Sequence, residues 1–394
     1  MSSQMIPLCG YRLSRPAVIC PLGDDLDSIA RALFAGQRGL TISDRFTPGR
    51  ELALGMVHRA LPETDRWQSR HRSRNNQLLA AALQQLQPEI DALLLRQPGA
   101  RIGIVLGTST SGIGETEQAL ARHDGERWPA DFHYQRQEIG SPADFLASLL
   151  GTDGPAHTLS TACTSSAMAL ASARRMLAAG RCDAVIAGGA DSLCGLTVNG
   201  FDALGAMSDS ACLPFSAQRR GINLGEAAAL FLVTNEAGGT QLAGYGESSD
   251  AHHFSAPHPD GLGAIAAMQG ALHMAGCSAG DVSYLNLHGT ATPQNDSMEA
   301  LAVHQVFGAA LPCSSTKALT GHTLGACGAL EAAFCWLALQ AGRLPPQVGD
   351  GQPDPALPAL NYARSGPLGG QRVMSNSFAF GGNNIALLLE RVDG

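Results

Sequence analysis

The chain has 394 residues, of which 45% are hydrophobic, and a formal net charge of −8. That is enough apolar material for one large duplicated domain or two ordinary ones, each with a real core, which excludes a disordered chain. The acidic balance excludes nucleic acid as a partner, because a phosphate backbone calls for clustered positive charge.

The N-terminal MSSQMIPLCGYRLSRP has no basic stretch leading into an apolar one, so no signal peptide is expected. The ten cysteines include no C-x-x-C spacing, which speaks against a zinc ribbon or a dithiol pair and for free reduced thiols in a cytoplasmic protein. Next comes RWQSRHRSR, where Arg66, Arg70, Arg72 and Arg74 form a basic patch on an acidic protein. Two readings stay open for it: a solvated helix start, or a dock for an acidic partner.

From here short apolar strands (RIGIVLGT, DAVIAGGA, VSYLNLHG, RVMSNSF) alternate with helical stretches, the pattern of an α/β sheet. AHTLSTACTSSAMALASARRMLAAG reads as strand, small-residue turn and long helix, and LPCSSTKALTGHTLGACGALEAAFCWLALQAG repeats that order. Each is followed by a glycine-bearing strand segment, INLGEAAALFLVTNE and FAFGGNNIALLLERV. These look like matched half-domains, 1–239 and 240–394. Helices so rich in Ala and Gly suit burial between two sheets, giving five layers in the order helix, sheet, helix, sheet, helix. No apolar run reaches the roughly 18 residues of a membrane span, and the nearest, ALEAAFCWLALQAG, carries Glu331.

Chemistry concentrates at the strand ends. Cys163 sits at a strand-to-helix turn near the positive end of a helix dipole, which favours thiolate and makes a nucleophile. His288 directly follows the strand VSYLNL, where a side chain projects from the carboxyl edge of a sheet. Lys317 and His322 flank a turn, with Glu331 on the helix beyond, and Phe380-Gly381-Gly382 can present a backbone N–H to a ligand.

Together TACTSS, HGTATPQND, STKALTGHTLGACGALE and NSFAFGG resemble the condensing enzymes of the thiolase superfamily, in particular the 3-oxoacyl-carrier-protein synthases, or ketosynthases. The resemblance covers about Gly103 to the C-terminus and implies a duplicated αβαβα thiolase-like fold. It implies that Cys163 takes an acyl group from a carrier protein, with its own N–H and that of Phe380 as oxyanion hole. His288 and His322 would hold the carbonyl oxygen of a malonyl thioester during loss of CO2, so no cofactor is expected. Lys317 is similar to the family's lysine paired with a helix glutamate, here Glu331. Thr290 and Thr292 look like pantetheine-binding hydroxyls, and Phe201 like the aromatic near the acyl pocket. Asn286, Glu331, Ser375 and Asn376 fall on the positions of a monovalent cation site, with no other metal implied, and HHFSAPHP is similar to a non-metal loop of the family.

Two departures stand out. Ala379 replaces a usual glycine before Phe380, restricting its swing. LGTSTSGIG, with Thr110, is more polar than in elongation enzymes for saturated chains, which leans toward a polyene or aryl-bearing acyl chain. Three other readings compete. A housekeeping elongation synthase shares the motifs, a chain-length-factor partner usually lacks the nucleophile, and a degradative thiolase carries a second cysteine beyond Cys335. The resemblance implies a homodimer or a heterodimer with a chain-length-factor homologue, the other subunit contributing residues around His133 to Ile139. It also gives the basic patch a partner, the acidic carrier.

Overall fold

The structure is a computed structural model and describes residues 10–392. In the first half, β1 (Tyr11–Leu13) and β2 (Ala17–Ile19) precede α1 (Leu26–Ala35), and the small hairpin β3 (Thr41–Ser43) and β4 (Leu52–Leu54) precedes α2 (Arg74–Arg96). There follow β5 (Ile102–Gly107), α3 (Ile113–Ala121), α4 (Ser141–Leu150), β6 (Ala156–Leu159), α5 (Ser165–Ala178), β7 (Ala184–Asp191), α6 (Gly195–Ala203) and β8 (Ala227–Thr234). β5, β7 and β8 are buried along their whole length. Helices cover both faces of this sheet, so its strands read as unbroken apolar runs rather than as an alternation.

The second half runs β9 (Gly239–Ser249), α7 (Leu262–Ala275), β10 (Tyr284–Asn286), α8 (Pro293–Phe307), β11 (Pro312–Ser314), α9 (Lys317–Thr320), α10 (Cys327–Ala341), β12 (Asn361–Tyr362), β13 (Arg372–Phe378) and β14 (Asn383–Val392). Its sheet order β11-β10-β13-β14-β9 matches β6-β5-β7-β8-β2 of the first half strand for strand. In both, three strands are parallel, the next is antiparallel to them, and the first strand in the chain pairs antiparallel beyond it. The duplication suspected from the repeated strand-turn-helix segments is therefore a repeat of topology. One detail differs from two separate sheets: β1 hydrogen-bonds β8 on one edge and β9 on the other, so the halves join into one 12-stranded path.

α5 and α10 pack on each other and on strands of both halves, while α2 and α4 cover the first sheet and α7 the second. The five layers follow. The helical stretch Leu324–Ala341 runs 18 residues at mean hydropathy 1.4, so it is longer than the sequence reading allowed. With 83% of it buried, it is the central helix of the core.

Small residues let the two central helices meet. A Cβ on Gly328 of α10 would lie 2.6 Å from the Cβ of Ala167 on α5. Gly328→Leu is therefore expected to overpack this crossing and cost about 1–3 kcal/mol of stability. A thermal melt checks this, and an unchanged transition would contradict the packing described.

Candidate active site

Cys163 stands between β6 and α5, two residues before the first residue of the helix. The preceding residue, Ala162, has φ of 54°, a left-handed conformation that a non-glycine side chain rarely adopts and that turns the chain sharply. Side chains lock the turn. The Ser165 hydroxyl accepts from the Thr161 N–H at 2.9 Å and donates to the Ala162 carbonyl at 2.6 Å, and the Thr164 hydroxyl donates to the Thr161 carbonyl at 2.7 Å. Beneath it, a Cβ on Gly107 would sit 2.3 Å from the Ser165 carbonyl carbon, so β5 must offer a glycine there.

The second half brings the histidines. His288 leaves the end of β10, and its N–H and that of Gly289 each donate at 2.7 Å to the carboxylate oxygens of buried Glu299. His322 follows α9, and its N–H donates at 2.7 Å to the Asn223 carbonyl of the other half. Its Nε2 lies 3.0 Å from Cys163 Sγ. Sγ and a ring nitrogen of each histidine all lie within 4.8 Å of one another, so the three residues converge.

Lys317 is the only lysine in the chain, and it is buried. Its Nζ donates to Glu331 Oε1 at 2.5 Å and lies 3.3 Å from His288 Nδ1. An ammonium has no lone pair to accept with, so His288 Nδ1 must be the acceptor, which leaves its proton on Nε2. Nothing comparable fixes the other ring, because His322 Nδ1 is buried without a hydrogen-bond partner among the described residues.

Burial dominates the titration of this site. It alone would lower the Lys317 pKa, but Glu331 beside it reverses the sign and holds the ammonium above its ordinary value. Burial pushes the Glu331 carboxyl up to about 7 against the pull of Lys317. Both imidazoles are driven well below the usual histidine range by burial and then by Lys317, so they are neutral. The thiolate expected from the helix dipole is corrected here. Burial pushes the Cys163 thiol up to about 11, a cost that Lys317 and the Phe380 N–H reduce without overcoming.

These groups open onto a cavity of about 310 Å³ lined by Cys163, His288, His322, Phe201 and Phe380, and by Thr290 and Thr292. The Phe201 and Phe380 rings lie 5.7 Å apart, and the two threonine hydroxyls are hydrogen-bonded at 3.0 Å.

Thr110 is absent from this wall. Its hydroxyl and that of Thr108 each donate at 2.7 Å to Asp191 at the end of β7. The two threonines of LGTSTSGIG satisfy a buried carboxylate and the Ser111 hydroxyl donates to the Arg136 and Glu138 carbonyls, so the segment's polarity is spent within the protein, which corrects its reading as pocket chemistry. The basic patch also shrinks. Arg74 is ion-paired with buried Glu226 at 2.6 Å, and Arg72 donates to the Trp67 and Asp65 carbonyls at 3.0 and 2.8 Å. Arg70 is half-buried, and Arg66 remains exposed. In HHFSAPHP the His253 and His258 Nδ1 atoms accept backbone N–H groups of their own loop.

Asn286, Glu331, Ser375 and Asn376 present a different signal. Asn286 Oδ1, Glu331 Oε2, Ser375 Oγ and Asn376 Oδ1 are all buried without a hydrogen-bond partner among the described residues, and Asn286 faces Ser375 in the β10–β13 pairing. Orphaned oxygens of this kind are donors that fit a hard monovalent cation, although Ser375 and Asn376 are consecutive in β13 and point to opposite faces, with the Asn376 amide donating to Glu299. Sequence reading missed Asp191 and Glu299. The available signal was an acidic residue inside or at the end of an otherwise apolar or small-residue element, in AVIAGGAD and in NDSMEALAV.

Comparison with known proteins agrees with this geometry. Residues 17–237 match the family model for the beta-ketoacyl synthase N-terminal domain, and 240–349 match the model for its C-terminal domain. Nodulation protein E of Rhizobium meliloti (strain 1021) is 32% identical, over 95% of this chain and 97% of its own. The 3-oxoacyl-[acyl-carrier-protein] synthase 2 of Vibrio cholerae serotype O1 is 30% identical, over 95% and 97%. Among solved structures, the ketosynthase ApeO in complex with its chain length factor ApeC, from Xenorhabdus doucetiae, superposes with a TM-score of 0.93 at 46% identity over 100% of both chains. The ishigamide ketosynthase/chain length factor follows with a TM-score of 0.89 at 27% identity, over 97% of this chain and 99% of that one. The chain belongs to the beta-ketoacyl synthase family of condensing enzymes, thiolase-fold acyltransferases.

Proposed function

We propose that the protein is a cytoplasmic ketosynthase of a specialised, polyene-type pathway. It joins an acyl group held on Cys163 to malonyl-carrier protein, giving 3-oxoacyl-carrier protein and CO2. The observation that carries the chemistry is Cys163 Sγ 3.0 Å from His322 Nε2 in a cavity shared with a second, lysine-fixed histidine. The specialised pathway is supported by the 46% identity with the Xenorhabdus doucetiae ketosynthase, since the polar segment at Thr110 no longer bears on chain type. The division of the chain into halves at 239 and 240 is part of the same reading.

In the first step Sγ attacks the thioester carbon of the acyl carrier while its proton passes to His322 Nε2. The oxyanion is held by the N–H groups of Cys163 and Phe380, and its collapse expels the carrier thiolate, which leaves with that proton. In the second step the malonyl thioester oxygen accepts hydrogen bonds from Nε2–H of both rings. His288 always presents that tautomer because Lys317 occupies its Nδ1, whereas the unpartnered Nδ1 of His322 leaves that ring free to be acceptor first and donor second. The carbon–carbon bond to the carboxylate breaks, CO2 departs, and its electron pair becomes the enolate held by the two donors. The enolate carbon then attacks acyl-Cys163, and the tetrahedral oxyanion expels the Cys163 thiolate, which takes from solvent the one proton that the overall reaction consumes.

Asn286, Glu331, Ser375 and Asn376 would hold a monovalent cation, which when bound supplies positive charge beside the Glu331 carboxylate. Thr290 and Thr292 would bind the pantetheine amides, and Phe201 would border the acyl chain. Arg66 and Arg70 are what remains of the candidate carrier dock. A dimer with a chain-length-factor homologue is supported by the Xenorhabdus doucetiae complex and by exposed Tyr134 and Ile139.

A Cys163→Ala variant is expected to lose condensation by more than about 1000-fold and to retain release of CO2 from malonyl-carrier protein, while His288→Ala loses that release about 100-fold or more. Loss of decarboxylation in Cys163→Ala as well would overturn the division of roles. Offered a panel of acyl carriers, the protein should gain the mass of polyene or aryl-bearing chains on Cys163 in preference to saturated ones, and the reverse order would refute the specialised reading. Because burial pushes the thiol up to about 11, its alkylation by iodoacetamide should rise close to tenfold per pH unit between pH 7 and 9. A rate already flat across that range, read by mass spectrometry of the Cys163 peptide, would mean a resting thiolate.

A further inference from the structure

The catalytic cavity contains a cation that the mechanism does not use. Arg220 lines the same cavity as Cys163, Thr290 and Thr292, and it is exposed. Its neighbour Arg219 is ion-paired with Asp354 at 2.6 Å, whereas Arg220 has no ion-pair partner among the described residues. The backbone beside it is clamped between the two walls of the opening. The Gly221 N–H donates to the Ala291 carbonyl at 3.0 Å, and the Ile222 N–H to the Ala206 carbonyl at 2.8 Å. Gly221 has φ of 136°, and a Cβ there would lie 2.2 Å from the Ala206 carbonyl oxygen, so the close approach requires glycine.

A ligand reaching this site thus meets a sequence of groups along one cavity. Arg220 is the exposed cation on its lining, while Thr290, Thr292 and Cys163 are nearly buried in the same cavity. The arm of an acyl-carrier thioester carries the matching chemistry: a phosphodiester at its solvent end, two amides along its length, and the thioester sulfur at the buried end. From this correspondence, and resting on the ketosynthase reading, we infer that Arg220 is a specificity-determining residue that binds the phosphodiester of the carrier's phosphopantetheine arm. A guanidinium suits this task, because its fork of N–H donors matches two phosphate oxygens at once and an exposed mouth spares it the cost of burial. Commitment to the phosphodiester, rather than to acidic side chains of the carrier, follows from Arg220 lining the cavity that the arm itself would fill.

The test compares two small donors, acyl-phosphopantetheine and acyl-pantetheine, with the acyl-carrier protein, reading the mass added to Cys163 and the kcat/KM of each. Wild-type enzyme should prefer the phosphorylated donor. Arg220→Gln should reduce that preference about tenfold through KM, consistent with loss of one charge-assisted contact, and Arg220→Lys should restore part of it. Equal loss on both small donors would overturn the assignment, as would a loss confined to the carrier protein, which would place the contact on the carrier's own acidic side chains. If wild-type protein takes acyl groups from none of the three, the ketosynthase reading falls and this inference with it. Acylation of wild type with an unaltered preference in the variant removes the inference alone.

Discussion

The site depends on one buried ammonium. Lys317 carries its charge in an interior that would otherwise discharge it, and it does so because Glu331 on α10 lies against it. The second contact of that ammonium, 3.3 Å from His288 Nδ1, assigns the tautomer of one imidazole, and its charge adds to burial in lowering the proton affinity of both. Burying an ion pair is costly, and its retention here is understandable as a way to orient a neutral donor rather than as a source of stability. In a chain whose other 25 cationic side chains are all arginine, the one lysine stands where a compact charge with several donors is required.

Duplication explains why the reactive groups meet. Each half presents the carboxyl ends of its parallel strands, and the two central helices bring the turn after β6 against the turns after β10 and α9. Asp191 spans this seam. It accepts from the hydroxyls of Thr108 and Thr110 and the N–H of Ser109 in the first half, and from the Gly325 N–H, three residues beyond His322, in the second. Glu299 does similar work within the second half by holding the backbone of His288 and Gly289. Two carboxylates outside the reacting set thereby fix the backbone around the two histidines.

Much of this arrangement was legible in the residues themselves. The strand RIGIVLGT and the helix after Cys163 announce themselves by apolar continuity and by small-residue turns, and the motifs around Cys163, His288, Lys317 and Phe380 converge as their positions at strand ends suggested. What the residues could not convey is where a polar side chain spends its hydrogen bonds. Thr110 looked like pocket chemistry because its partner Asp191 is 81 residues away, and Arg74 looked like a free cation because Glu226 lies 152 residues beyond it. The helix start at Cys163 was read correctly as local geometry, but desolvation, a property of the whole packed interior, pushes the thiol up.

The central claim is that Lys317 fixes His288 as a neutral Nε2–H donor aimed at the cavity. Nitrogen-15 NMR of protein labelled in histidine, with the His288 signals assigned by comparison with a His288→Gln variant, reads this directly. A ring held by Lys317 in this way is neutral at pH 7, protonated on Nε2 and hydrogen-bonded through an unprotonated Nδ1. An imidazolium, or a ring carrying its proton on Nδ1, would contradict it.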